Sequence, residues 1–249
     1  MISQGKQTLH VGCVTDVGKV RDINQDCFAI DPMRGLVMVA DGMGGHLAGE
    51  KAAQSAVEVV SAVLSEGDPR EGDVQANIQR AVQEANRQIV QASMSDASMR
   101  GMGTTATLAI VDGDNVYLGH VGDSRAYLVR DGGFIEQVTE DHSVVAQLLK
   151  AGAITPQEAI HHPYRNVITR CLGMQMDVEA DVAVVQWKIG DRLLLCTDGL
   201  SGLVTDDEMA KMASEHEDLQ DACQKMLDLA MARGGYDNIT VVMAEYVVE

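Results

Sequence analysis

Four aspartates stand where a chain could hold a divalent cation. Leu36-Val37-Met38-Val39-Ala40 leads straight into Asp41-Gly42, and Leu193-Leu194-Leu195-Cys196-Thr197 leads straight into Asp198-Gly199. Gly122-Asp123-Ser124 places a third aspartate at a junction between strand-like segments, and Asp237-Asn238 places a fourth just before the last of them. A continuous apolar run reads as a strand covered on both faces, so an aspartate at its end is held rigidly at the rim of the core. The glycine that follows lets the chain turn sharply and brings backbone close to whatever the carboxylate binds. Carboxylates gathered together repel one another and cannot all stay ionised unpaired. A hard cation resolves that conflict, and carboxylate, carbonyl and water ligands suit Mg2+ or Mn2+.

Other candidates have weaker chemistry. Asp112-Gly113 and Asp131-Gly132 are assigned to ordinary turns. Gly42-Met43-Gly44-Gly45 lacks the ending of a P-loop and the spacing of a dinucleotide site, so it reads as backbone packed close to metal and substrate. His46 follows it and, taken alone, reads as a hydrogen-bonded structural residue. His161 and His162 have no spaced His or Cys partner and read as surface loop residues rather than metal ligands.

The elements that must position these residues follow from periodicity. Leu9 to Val14 alternates weakly as a strand, and Cys27 to Ile30 with Leu36 to Ala40 reads as a hairpin of buried strands. Ala53, Ala56, Val57, Val60 and Leu64 fall at helical spacing, as do Ile78, Val82, Ala85 and Ile89. Thr105 to Val111, Val116 to Val121, Ala126 to Val129 and Phe134 to Val138 are strand-like, with turn residues between them, and read as an antiparallel meander. Val144 to Lys150 reads as a short helix stopped by Gly152. Thr155-Pro156-Gln157-Glu158 has a capping-box pattern that starts another. Val182 to Trp187 and Arg192 to Cys196 are strands, Asp218 to Ala232 is a helix, and Ile239 to Val248 is a closing strand. This order suits an α+β layered fold of packed antiparallel sheets with helices outside.

Composition bounds the function. The 249 residues are 46% hydrophobic, enough for one substantial core. A net charge of −18 opposes a nucleic-acid partner and docking on anionic lipid. No apolar run approaches a membrane span, and Met1 to Val11 lacks the regions of a signal peptide. The five widely spaced cysteines, with no CxxC, read as reduced residues of a cytoplasmic protein and argue against structural zinc.

Motifs along nearly the whole chain resemble those of the type 2C (PPM) protein phosphatases, bacterial branch. They are Arg21 with Asn24-Gln25-Asp26, Asp41-Gly-Met-Gly-Gly-His46, Gly103-Thr104-Thr105, Gly122-Asp123-Ser124-Arg125-Ala126-Tyr127, Thr139-Glu-Asp141-His142-Ser143, Ile168-Thr169-Arg170 with Leu172-Gly173, Leu195-Cys196-Thr197-Asp198-Gly199-Leu200, and Asp237-Asn238-Ile239-Thr240. Each is weak alone, but in this order they are specific. The resemblance implies a single catalytic domain over 1–249. Its core is a central sandwich of two antiparallel β-sheets flanked by helix pairs, in α-β-β-α layers, with a small helical flap at about 144–170. It implies hydrolysis of phosphoserine and phosphothreonine by a metal-bridging water that acts in line on phosphorus.

The same resemblance implies two bridged Mn2+ or Mg2+ ions and a third, weaker site. Asp41 would bridge the ions, Asp198 and Asp237 would hold the first, and the Gly42 carbonyl would help hold the second. Asp123 with Asp198 matches the third site. Arg21 matches the arginine that receives the substrate phosphate, a bidentate task that suits Arg better than Lys. Asp26 and Asn238 stand behind the ligands, Asp26 orienting metal-bound water. Many eukaryotic members have Asp-Gly-His where this chain has Met43, which leaves the acid for the leaving hydroxyl open between His46 and a metal-bound water. Water is favoured, because an imidazole must reach the leaving oxygen to act. The implied partners are phosphorylated proteins, including a cognate Ser/Thr kinase and its substrates, and a monomer is expected. Two rival readings are a non-catalytic phosphoprotein-binding scaffold, which requires missing ligands, and a two-metal nuclease, which the charge opposes.

Overall fold

A computed structural model describes residues 7–45 and 47–248. The apolar runs pair into two antiparallel sheets. One contains β1 (Gln7–Asp16), β11 (Ile239–Val248), β10 (Arg192–Cys196), β7 (Arg125–Val129) and β8 (Ile135–Gln137), in that spatial order. The other runs β2 (Asp26–Asp31), β3 (Leu36–Met43), β5 (Ala106–Asp112), β6 (Asn115–Val121) and β9 (Asp181–Gln186), with the short β4 (Gly103–Thr104) on the end of β3.

The alternation of side chains along a strand explains why β3 and β10 are apolar throughout. Val37 and Val39 of β3 meet Leu193 and Leu195 of β10, with Val242 and Ala244 of β11, in a core between the sheets. The opposite face of β3, Met38 and Ala40, packs on α1 (Leu47–Leu64) and α2 (Val74–Ser95) through Ala52, Ala56, Ile78 and Ile89. The opposite face of β10, Leu194 and Cys196, packs on α5 (Asp198–Ser201), α6 (Asp206–Glu215) and α7 (Leu219–Ala232) through Leu200, Met209 and Met226. The layers are therefore α-β-β-α, an α+β sandwich, as expected.

The short helices α3 (Val144–Lys150) and α4 (Pro156–Ile160) bury no side chain. Local chemistry holds them instead. Ser143 caps α3 by accepting the Ala146 N–H, and Thr155 and Glu158 form the expected capping box with Pro156 at the start of α4. No helix among the described residues is long and apolar enough to cross a membrane. All five cysteines are free.

Two expectations need correction. The stretch from Thr105 to Val138 is not one meander, because β5 and β6 pair in one sheet while β7 and β8 pair in the other. The chain changes sheets at Gly122-Asp123-Ser124. Gly42 and Gly199, in turn, are not turn residues. β3 continues through Asp41 and Gly42 to Met43, and Gly199 lies in α5. Each is glycine because another backbone comes too close for a Cβ, at the Gly49 carbonyl for Gly42 and the Asn238 carbonyl for Gly199.

Candidate active site

Strand direction brings the four aspartates together. β6 runs parallel to β3 because both pair antiparallel with β5, so the ends of β3 and β6 that carry Asp41 and Asp123 share one edge. In the other sheet Cys196, at the end of β10, sits opposite Arg125 at the start of β7 and Val241 near the start of β11. Asp198 and Asp237 therefore emerge at one edge as well. The two edges meet at a cleft of about 210 Å³ lined by Asp41, Asp123, Asp198 and Asp237, with Arg21, Gly42, Met43 and Thr105.

Each aspartate is braced. The Asp41 N–H donates to Thr105 Oγ1 at 2.8 Å, and its carbonyl accepts from Thr104 Oγ1 and from the Thr105 N–H, each at 2.9 Å. Thr105 Oγ1 and Ser124 Oγ are 2.7 Å apart, which ties the Asp41 strand to the Asp123 crossing. Asp198 follows Thr197, whose hydroxyl donates to Asp26 Oδ2 at 2.8 Å; the Thr240 hydroxyl donates to the same oxygen at 2.7 Å. Asp26 itself lies directly opposite Asp41 across the β2–β3 ladder. Its other oxygen, Oδ1, is buried without a protein partner. Asp237 Oδ2 accepts from Arg21 Nη2 at 2.6 Å, and Oδ1 accepts from the Asn238 N–H at 2.9 Å. The buried Asn238 side chain holds the Arg21 loop by donating to Val17 O and Ile23 O, each at 3.0 Å, and accepting from the Gln25 N–H at 2.8 Å.

The electrostatics show crowding. Burial pushes the Asp41 carboxyl well above the carboxylate range, and the charges of Asp26, Asp198, Asp123 and Asp237 add to that. Asp198 is raised by burial and by Asp237, against a hydrogen bond from Asp41 that acts the other way. Asp123 rises to about 7 through burial and then its neighbours Asp198 and Asp141. Asp26 also rises to about 7, because burial outweighs the two threonine hydroxyls.

These residues suit a hard cation. The donor set is carboxylate and carbonyl oxygen, its charges repel, and one buried oxygen lacks a partner. No three His, Cys, Asp or Glu side chains among the described residues gather tightly enough to hold a metal. Asp237 is turned to its own neighbours, Arg21 and the Asn238 amide.

The sequence matches the family model described as Protein phosphatase 2C over residues 19–237. The chain belongs to the protein phosphatase 2C family. This protein phosphatase 2C is 38% identical to the serine/threonine phosphatase stp of Listeria monocytogenes serotype 4b, over 95% of this chain and 96% of the relative. It is 39% identical to the serine/threonine protein phosphatase PstP of Mycobacterium tuberculosis, over 94% of this chain and 44% of that protein. The crystal structure of the M. tuberculosis phosphatase PstP/Ppp superposes with a TM-score of 0.89 at 37% identity, covering 96% of this chain and 98% of that one. A PstP catalytic domain in complex with two manganese ions superposes with a TM-score of 0.86 at 36% identity, covering 97% of this chain and all of that one. Membership of the family and relatives of these names make the chain a protein serine/threonine phosphatase.

The predicted residues divide as follows. Arg21, Asp41, Gly42, Asp123, Asp198 and Asp237 line the cleft, with Asp26 and Asn238 behind it. His46 lies outside the described residues. His161 and His162 follow α4 away from the cleft lining. Sequence reasoning passed over the hydroxyls of Thr104, Thr105, Thr197 and Thr240. Their signal is their place in the motifs, Thr104 and Thr105 after Gly103, Thr197 before Asp198 and Thr240 in Asp237-Asn238-Ile239-Thr240.

Proposed function

We propose that this chain hydrolyses phosphoserine and phosphothreonine in proteins, in a reaction that depends on Mn2+ or Mg2+. The observation that carries the reading is the convergence of Asp41, Asp123, Asp198 and Asp237 with Arg21 on one cleft. In this reading Asp41, Asp198, Asp237 and the Gly42 carbonyl hold two ions, and Asp123 with Asp198 holds a third more weakly. Bound there, the ions lower the pKa of water to supply a nucleophile and neutralise phosphate charge.

The chain's own residues bind, orient and exclude. Arginine has five N–H donors, and Asp237 takes one of those on Arg21. The rest are free to grip a phosphate in the paired geometry that favours arginine. Asp26 holds a fixed orientation through Thr197 and Thr240 and offers its unpartnered Oδ1 to a water proton. Asn238 keeps the Arg21 loop in register with Asp237. Thr105 is the one hydroxyl among the described lining residues, and it is engaged by the Asp41 amide. With no cysteine, serine or histidine in that lining, and with its aspartates taken up as cation ligands in this reading, direct in-line transfer to water is favoured over a phosphoenzyme. Met43 contributes no proton, so the leaving oxygen takes its proton from water, with His46 as the alternative source.

The segment at about 144–170, bearing α3 and α4, serves as a flap beside the cleft, to which it contributes Asn166 and Ile168. The protein works as a cytoplasmic single-domain monomer on phosphorylated proteins, a cognate Ser/Thr kinase and its substrates among them. Comparing the phosphoproteomes of a strain lacking the protein and one carrying Asp198→Asn tests this. Shared accumulation of phosphoserine and phosphothreonine sites supports the reading, and unchanged phosphorylation contradicts it.

A further inference from the structure

At Val121 the β6 ladder stops, and Gly122 bends the chain towards Asp123 with φ +118°, a conformation that favours glycine. The backbone groups of Gly122 then have no strand partner. One residue takes both. The Gly122 N–H donates to His142 Nδ1 at 3.0 Å, and the His142 N–H donates to Gly122 O at 2.7 Å. His142 is buried, and its ring lies 4.8 Å from that of His120.

The tautomer follows from these contacts. An Nδ1 that accepts an amide proton carries none of its own, so the neutral ring bears its proton on Nε2. That nitrogen lies 3.1 Å from Asp181 Oδ2 on β9. Asp181 in turn pairs with Arg170. On the far side of Asp123, Arg125 is clamped by the neighbouring Asp141, with Nε 2.9 Å from Oδ1 and Nη2 2.7 Å from Oδ2. Consecutive residues 141 and 142 thus hold both flanks of Asp123. The same point roots the 144–170 segment. The Thr169 N–H donates to the His142 carbonyl at 2.7 Å, and Ser143 bridges Ile168.

We propose that His142 is the positioning residue for Asp123, acting through the Gly122 amide and fixing where the third cation-binding carboxylate points. This rests on the reading of Asp123 as a metal ligand given above. His142 touches no reacting atom in this account. Its contribution is the single acceptor, Nδ1, that keeps the crossing bent.

Two substitutions separate this from ordinary packing. Asparagine places an acceptor at the position of Nδ1, two bonds from Cβ, and glutamine places a donor at the position of Nε2, three bonds from Cβ. Each keeps one ring hydrogen bond and loses the contact with His120, so a merely structural histidine gives similar losses in both. The experiment measures Gly122 amide hydrogen exchange in the metal-free protein and calorimetric titration with Mn2+ alone. The chains compared are wild type, His142→Asn, His142→Gln and Asp123→Ala.

The expected result is that Asp123→Ala loses the weakest Mn2+ event. His142→Gln weakens that event by about 10–100-fold, the usual effect of removing an outer orienting partner, and its Gly122 amide exchanges faster. His142→Asn stays near wild type in both. Equal behaviour of the two histidine variants, or wild-type exchange and Mn2+ binding in His142→Gln, overturns the proposal. Wild-type binding in Asp123→Ala overturns the ligand reading instead, and the amide exchange still decides whether His142 positions the crossing.

Discussion

Arg21 Nη2 lies 2.6 Å from Asp237 Oδ2, so a loop near the start of the chain closes on a residue two positions before its last strand. This pair raises the Arg21 guanidinium further above its ordinary range, chiefly through that hydrogen bond. It also places a fixed cation beside the carboxylates at the mouth of the cleft, where a phosphate would arrive.

Arg21→Lys therefore loses more than its retained charge suggests. A lysine offers a point charge, and pairing Asp237 while gripping two phosphate oxygens needs the arginine fork. Charge-assisted hydrogen bonds contribute about 1.5–3 kcal/mol each, so kcat/KM should fall by about 10–100-fold. Steady-state kinetics on a phosphothreonine peptide check this. A lysine variant with wild-type kcat/KM contradicts the role of Arg21.

Asp26 gives the metal-free protein a signed pH dependence. Its folded pKa of about 7 lies above the unfolded value of about 3.9. Between those values the folded state holds a proton that the unfolded state has released. The stability linked to Asp26 is thus fully present below about pH 4 and is lost as pH rises through about 7. Thermal midpoints of chelator-treated wild type and Asp26→Asn should diverge over this window, with the variant gaining relative stability at the upper end. Parallel curves contradict the shift.

Gly199→Ala should destabilise the fold although alanine favours helices. The added Cβ collides with the carbonyl oxygen of Asn238, backbone that cannot swing aside. Overpacking of this kind costs about 1–3 kcal/mol, which for a chain this long lowers the melting midpoint by several degrees. Calorimetry of the variant checks this, and an unchanged midpoint would show that the two segments separate freely.

Much of this fold was legible because burial on both faces leaves a plain mark. β3 and β10 read as unbroken apolar runs, and each leads to a glycine-flanked aspartate. The Thr155 and Glu158 capping box was legible for a different, local reason, since its residues lie three apart in sequence. The crossing at Gly122 to Ser124 was not, since strands on either side of a sheet change look like a hairpin in sequence. Helix α6 carries a capping box of Thr205 and Glu208 at its start, but its ten residues are too short and polar for periodicity to mark. Asp26 could be placed in the site only by resemblance to the family. Burial between the sheets raises its pKa against the hydroxyls of Thr197 and Thr240, residues far away in sequence. The His142 to Gly122 bond was equally out of reach of spacing.

His46→Ala tests the source of the leaving-group proton. If water supplies it, the variant keeps the limb of the pH–rate profile that reports the acidic group, and kcat stays within the same order of magnitude. General acid catalysis contributes about 10²–10⁴-fold, so loss of that limb with a fall of this size would assign the proton to His46.

The central claim is that the converging aspartates make a metal-dependent phosphatase, and Asp198→Asn tests it most directly. The measurement is release of phosphate from a phosphothreonine peptide, with and without Mn2+, for wild type and variant of matched stability. The account predicts Mn2+-dependent turnover in wild type and a fall of at least about 100-fold in the variant, since a lost cation removes several kcal/mol of charge stabilisation. Equal turnover by the two proteins, or wild-type turnover indifferent to Mn2+ after chelation, would contradict it.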